Sequence, residues 1–327
     1  MATSGTIGAT TIDTSSVIEH ALRRCKILPS AQTPEMVLIA KENLYMLMLN
    51  LSNRGLNLWA VERRFIGVNS GQATYDTPTG TLDVLNVLYT QPTLEAVTFS
   101  TTAAGGKAQI TSANIKRVGF SVSSVYSGAL VISSSADDVS YTTLTTLPIS
   151  GYSPGQFYWA DLPVTTTATY FKVESAATPY PVVSAIKCAS ASYDLPCTQW
   201  NRDTYAAINN KAQVGRPSTS YFFEKKISPT LTVWPVPNNN DDHLTVYVHR
   251  QPQDVGSLTQ QLEIPQRWLD GVIWLLASRL CYELPNVDGN TVQMVSQMAQ
   301  QQVFEAEGAE SDGAPIFLMP NIRVYSR

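Results

Sequence analysis

Charge is scarce in this chain. Of 327 residues, 22 are Lys or Arg and 26 are Asp or Glu, 15% in all, where an average soluble protein carries about 25%. The surface must therefore be built largely from Ser, Thr, Asn, Gln and Gly. The net charge is −4 at pH 7, the pI is near 5.4 and there is no basic tail, which argues against a protein that wraps duplex DNA by neutralising phosphates. Long hydrophobic runs are missing too. The longest wholly apolar stretch, Val272 to Ala277, is far below the roughly 18 residues of a membrane span. Met1 to Gly5 have neither the positive charge nor the apolar core of a signal peptide. These features lead us to expect a soluble protein made in a cytoplasm-like compartment, with no membrane partner.

Cysteine is sparse and unpatterned. Cys25, Cys188, Cys197 and Cys281 show no C-x-x-C spacing, which fits free buried thiols better than a disulfide framework or a zinc site. Histidine is sparser still. His20 falls on the polar side of an expected helix with no sequence-local partner for acid–base work. His243 and His249 lie an even number of residues apart on an expected strand, near Asp241 and Asp242, and share a face without the third ligand a metal needs.

Two motif matches fail on mechanism. Gly151-Tyr152-Ser153-Pro154-Gly155 has the spacing of a hydrolase nucleophile elbow, but Pro154 has no N–H to offer an oxyanion. Gly105-Gly106-Lys107 lacks both the upstream glycine and the following Ser or Thr of a phosphate-binding loop. No catalytic constellation and no cofactor site emerge, and we expect a protein that is not an enzyme. Two basic pairs, Arg23-Arg24 and Arg63-Arg64, are candidate contacts to DNA phosphate, with solvated helix faces or salt bridges as the plainer reading.

Periodicity divides the chain into helical ends and a β-rich middle. Ser15 or Ser16 caps an expected helix with Val17, Ile18, Ala21, Leu22 and Cys25 on one side. Thr33, Pro34 and Glu35 open a second helix whose stripe Val37, Ala40, Leu44, Leu47, Met48 and Leu51 ends near Gly55. Helices return at Pro265 and from Thr291 to Glu307. Between them, Ser and Thr dominate from about residue 91 to residue 185, and apolar residues alternate at Gly119–Ser123, Ala129–Ser133 and Tyr170–Val173. Pro92 and the Pro179–Pro181 segment read as its boundaries. Leu231–Val236 and Leu244–His249, joined by Asn238–Asp242, read as a hairpin. Six Trp and fifteen Tyr read mostly as core residues; of Phe157, Tyr158 and Trp159, considered as a sugar-stacking platform, at most two share a surface, because adjacent strand residues alternate faces.

The expected fold class is α+β: a bundle of about four helices drawn from both chain ends, a small antiparallel β region and an inserted jelly-roll β-sandwich. The expected domains are a discontinuous core of residues 1–92 and 186–327, with an extended tail at 308–327, and the insert at 93–185. Insertion at a loop tip is structurally cheap.

Several segments resemble the head-to-tail adaptor proteins of short-tailed bacteriophages, including the tail tubular protein A group. They are the helical hairpin running into Asn53-Arg54-Gly55-Leu56-Asn57-Leu58-Trp59, then Tyr193-Asp194-Leu195-Pro196, Arg202-Asp203-Thr204-Tyr205, Gly215-Arg216-Pro217, Pro229 to Pro237, and the closing helix from Pro265. The resemblance implies a virion protein of the neck, made in the bacterial host cytoplasm. It would form a dodecameric ring between the portal protein and the tail nozzle, with double-stranded DNA passing through on ejection. It places the portal-docking tail on Ile316, Phe317, Leu318, Met319, Ile322, Val324 and Tyr325, apolar residues suited to docking. The segment 93–185 departs from shorter family members. Ile115–Phe120, Leu130–Asp137 and Thr169–Val173 resemble strands of discoidin or carbohydrate-binding modules, which implies a host glycan or tail fibre as a further partner. The competing reading is a carbohydrate-binding or adhesin-type module acting through that sandwich.

Overall fold

The computed structural model describes residues 12–53, 60–111, 114–285 and 287–310. The chain divides into two compact units, residues 1–60 with 251–327 and residues 61–250. The Asn53–Trp59 motif, apart from the backbone of Asn53, and all seven tail residues from Ile316 to Tyr325 lie outside the described residues.

The first unit is helical. Helix α1 (Thr14–Arg24) is capped by Asp13, whose carboxylate accepts from the Ser16 N–H at 2.8 Å, so the cap falls two or three residues before the serines, Ser15 or Ser16, expected to supply it. Helix α2 (Pro34–Asn53) begins where Thr33 Oγ1 accepts from the Met36 N–H at 3.3 Å. Proline at the first helical position loses no hydrogen bond there. Val17, Ile18, Ala21 and Leu22 from one stretch of sequence and Leu44, Leu47, Trp268, Val272 and Leu276 from others fill a single core.

The second unit is built almost wholly of strands, and the expectation of a helical bundle with a small β region is corrected here. Strand makes up 41% of the structure and helix 27%. The strands are β1 (Val61–Gly67), β2 (Thr74–Asp76), β3 (Thr81–Leu94), β4 (Val97–Thr102), β5 (Gly105–Ile110), β6 (Ile115–Val122), β7 (Tyr126–Ser135) and β8 (Thr142–Tyr152). They continue as β9 (Phe157–Thr166), β10 (Tyr170–Glu174), β11 (Val183–Pro196) and β12 (Thr198–Trp200), then a short helix α3 (Arg202–Ala206), β13 (Ser220–Glu224), β14 (Thr230–Trp234) and β15 (His243–Arg250). In the first unit the chain closes with α4 (Gln266–Glu283) and α5 (Gly289–Glu310).

The strands form a six-stranded sheet in the order β1-β15-β3-β11-β6-β9, a five-stranded sheet β4-β5-β10-β7-β8 and a four-stranded sheet β12-β13-β14-β2. The six-stranded sheet is shared between two cores. Val118, Phe120 and Ile186 join Phe171, Ile132 and Leu130 of the five-stranded sheet. Val87, Tyr89, Leu244 and Val246 join Tyr221, Leu231 and Val233 of the four-stranded sheet.

The expected hairpin does not form. β14 pairs with β13 and β2, whereas β15 pairs with β1 and β3, so the Asn238–Asp242 segment crosses between sheets instead of closing a hairpin. Of the residues expected as turn or linker signals, Pro92 is inside β3, whereas Pro179–Pro181 lie outside the strands, just before β11 begins at Val183. Pro92 is tolerated because the β15 ladder on β3 stops at the Thr90–His243 pair, leaving β11 as the sole partner strand. A residue without an N–H fits such a margin.

Candidate functional site

Strand residues of one parity feed the two apolar cores, so those of the other parity lie on the opposite face of the six-stranded sheet. That face is polar and aromatic, and it closes on itself. β1 and β9 are at opposite ends of the hydrogen-bonded order, yet Arg63 of β1 pairs with Asp161 of β9. At Gly67 a Cβ would fall 2.0 Å from the Phe157 carbonyl oxygen. Glycine is needed there because backbone from the far edge occupies the side-chain position. The sheet is thus curled, and its polar face turns inward.

His243, Thr245 and Thr90 are fully buried on this inner face, and Arg117 and Trp159 nearly so. Arg117 Nε donates to Asp161 Oδ1 at 2.5 Å, and Arg117 Nη1 lies 3.0 Å from His243 Nε2. Arginine has no acceptor, so Nε2 holds a lone pair and the neutral ring carries its proton on Nδ1. Nδ1 has no partner among the described residues, nor does Trp159 Nε1. The His243 ring stacks on Trp159 (centroids 5.1 Å, 26°) and meets Phe65 edge-on (5.4 Å, 88°). Burial first, and the Arg117 charge second, push the His243 imidazolium down to about 3, so the ring stays neutral near pH 7. Burial also lowers Arg117. Deeper along the face, Thr90 Oγ1 donates to Asp194 at 2.7 Å and lies 2.8 Å from Thr245 Oγ1.

At one end this interior opens into a cleft of about 270 Å³ lined by Lys116, Arg117, Asp161, Thr165 and Ser192. Arg63 and Arg117 share the one carboxylate of Asp161, and Lys116 adds a further cation.

The candidate phosphate contacts are dispersed over ion pairs. Arg23 meets Glu19 and Arg24 meets Asp270, each at 2.5 Å, and Arg24 also lies over the Trp274 ring. Arg64 meets Glu62, and Arg63 belongs to the curled sheet. His243 and His249 do share a strand face, but that face is buried instead of solvated. No group of three His, Cys, Asp or Glu among the described residues is placed to hold a metal. Among the described residues no helix is long and apolar enough to cross a membrane. Phe157 and Trp159 point to one side of β9 and Tyr158 to the other, where it stacks on Phe120 at 5.8 Å, so the three make no common platform.

Arg117, Asp161, Thr90 and Thr245 were not singled out from sequence. Their signal is the polar parity of Arg117, Gly119, Ser121 and of His243, Thr245, Tyr247, His249, a pattern that ordinarily marks a solvated sheet face.

No family model matches the chain, and no curated protein matches it. Solved structures similar to part of it include two carbohydrate-binding modules of a family 31 glycoside hydrolase from Clostridium perfringens. The CBM32-1 module is 14% identical over 39% of this chain and 93% of its own, with a TM-score of 0.23. The CBM32-3 module is 10% identical over 39% and 92%, with a TM-score of 0.22. A family 29 carbohydrate-binding module is 12% identical over 41% and 88%, with a TM-score of 0.19. Similarity at this level assigns no ligand to the chain.

Proposed function

We propose that the protein is a structural subunit of a homomeric ring, the head-to-tail adaptor that joins a phage portal to the tail nozzle. The observation carrying this reading is the set of large apolar side chains exposed among polar ones on each of two helices of the first unit. On α2, Leu38, Tyr45 and Met46 are 58%, 41% and 49% exposed, and their spacing puts them along one side. On α5, Met294 and Phe304 are 50% and 77% exposed, with Gln297 and Gln301 between them. Both helices pack on α4. Two different patches on one chain favour a heterologous contact, α2 of one copy against α5 of the next, and such contacts build rings when the rotation closes. The apolar tail from Ile316 to Tyr325 would dock on the portal, and the charge-poor composition gives little counterion-release affinity for DNA in transit.

The test is native mass of the purified chain, alone and with the portal ring of the same source. A closed ring of many copies, free or on the portal, supports the reading, and a chain that stays monomeric and ignores the portal removes it. Deleting residues 311–327 should abolish portal binding while leaving the helical unit folded.

A second reading, a glycan-binding module, is favoured by the cleft of the second unit. Lys116 and Arg117 in its lining suit a sugar carrying a carboxylate, which charged donors recognise well. Titration with glucuronate-containing and with neutral oligosaccharides separates the outcomes: shifts confined to β6 and β9 with the acidic sugar support it, and none with either removes it.

A further inference from the structure

We propose that Cys25 and Cys281 are a site of oxidative cross-linking, a disulfide that ties the two ends of the chain together within the helical unit. Cys25 is the C-cap of α1, and Cys281 lies in the last turn of α4. Their sulfurs are 3.2 Å apart although 256 positions separate them in sequence. Both belong to the same apolar core, 2% and 5% exposed. The Cys25 thiol also donates to the Ala277 carbonyl at 3.3 Å, which orients its sulfur along α4. A disulfide needs the sulfurs about 2.05 Å apart, so they must close by roughly an ångström. The remaining cysteines have no such neighbour. Cys188 is in the core against the five-stranded sheet, and Cys197 is in the core against the four-stranded sheet.

The reaction balances with a peroxide as oxidant. The Cys281 thiolate attacks one peroxide oxygen, the O–O bond breaks, and a sulfenic acid forms as hydroxide leaves and takes up the thiol's proton. The Cys25 sulfur then attacks the Cys281 sulfur. The S–O bond breaks, and the departing oxygen leaves as water with the Cys25 proton. Two thiols and one hydrogen peroxide give one disulfide and two waters. Burial raises both thiols above their usual range, so little thiolate is present and the first step is slow. The pair therefore stays reduced in a cytoplasm rich in thiol reductants and closes on longer exposure to an oxidising medium. The product covalently joins α1 to α4, two elements whose connection through the whole second unit is otherwise one of the longest loops in the molecule, and long loops gain most from closure.

The experiment uses the full chain treated with hydrogen peroxide, then unfolded and blocked with N-ethylmaleimide. We expect two blocked thiols where the untreated chain has four. We also expect a peptide pair joining Cys25 to Cys281 that separates on reduction, and a melting temperature of the helical unit raised by about 5–10 °C. Reduction of the oxidised chain should restore the original melting temperature, a check that needs no substitution. Cys25→Ser and Cys281→Ser should each lose both the cross-link and the rise. Four blocked thiols after treatment, a link to Cys188 or Cys197, or sulfinic acids at Cys25 and Cys281 in place of the link would overturn the assignment.

Discussion

Arg117 Nη1 donates to His243 Nε2 across 3.0 Å inside the curled sheet, where burial first and this guanidinium charge second keep the imidazole neutral. An unfolded histidine titrates near 6.5 and the folded one near 3. Between those values the unfolded chain binds the extra proton, so stability from this group is fully present above about pH 6.5 and is lost as pH falls toward 3. The slope is at most about 1.4 kcal/mol per pH unit. His243→Asn should flatten the dependence of melting temperature on pH between 6.5 and 4, read by calorimetry. An unchanged slope would mean that the histidine titrates normally.

Asp242 is fully buried and serves four donor atoms. Arg216 Nε and Nη2 reach its two oxygens at 2.7 and 2.8 Å, the Tyr89 hydroxyl reaches it at 2.7 Å and Asn239 Nδ2 at 2.8 Å. Burial, then the neighbouring carboxylate, hold the Tyr89 phenol above its usual range. Asp242→Ala should destabilise the second unit by about 3 kcal/mol, because it strands buried donors as well as removing a pair. Urea denaturation monitored by tryptophan fluorescence measures it.

Gly119 sits opposite Trp159 across β6 and β9, and a Cβ there would lie 2.8 Å from the indole ring. Gly119→Ala should cost about 1–3 kcal/mol through overpacking. Gly151→Ala, where a Cβ meets nothing within 4 Å, is the control and should change stability by less than about 0.5 kcal/mol.

Tyr45→Glu and Phe304→Glu alter exposed helix faces. Each should leave the melting temperature of the monomer within a degree or two while lowering the population of assembled species in sedimentation by at least tenfold. Assembly unaffected by both would exclude the α2–α5 contact.

Val61 pairs with His249, so the second unit begins and ends on adjacent strands. Joining residue 60 to residue 251 through a short Gly/Ser linker should leave a helical protein that melts cooperatively, followed by circular dichroism, because its core draws on residues of α1, α2, α4 and α5 alone among the helices.

Much of the helical unit was legible along the chain. Thr33 and Pro34 mark the start of α2, and the stripes Val17–Cys25 and Ala40–Leu51 became core, because helix faces and caps are set by residues within a few positions of one another. Asp13, and not Ser15 or Ser16, took the cap of α1 because its carboxylate reaches the Ser16 N–H. The β unit was legible only as strands. Alternation marks β6, β7 and β10, but it gives no strand order. Which strand follows which in a sheet depends on contacts between residues a hundred or more positions apart, such as Thr90 with Thr245.

Composition and local periodicity set the scarcity of charge, the helical ends, the strand-rich middle and the parity of its apolar residues. Tertiary structure alone decided that one sheet would serve two cores and curl until Arg63 reached Asp161. That curling turned the polar parity of β6 and β15, which an open sheet would give to water, into a buried site around Arg117 and His243. The physical reason is that strand periodicity fixes which residues share a face, while the closure of the sheet fixes whether that face meets solvent or itself.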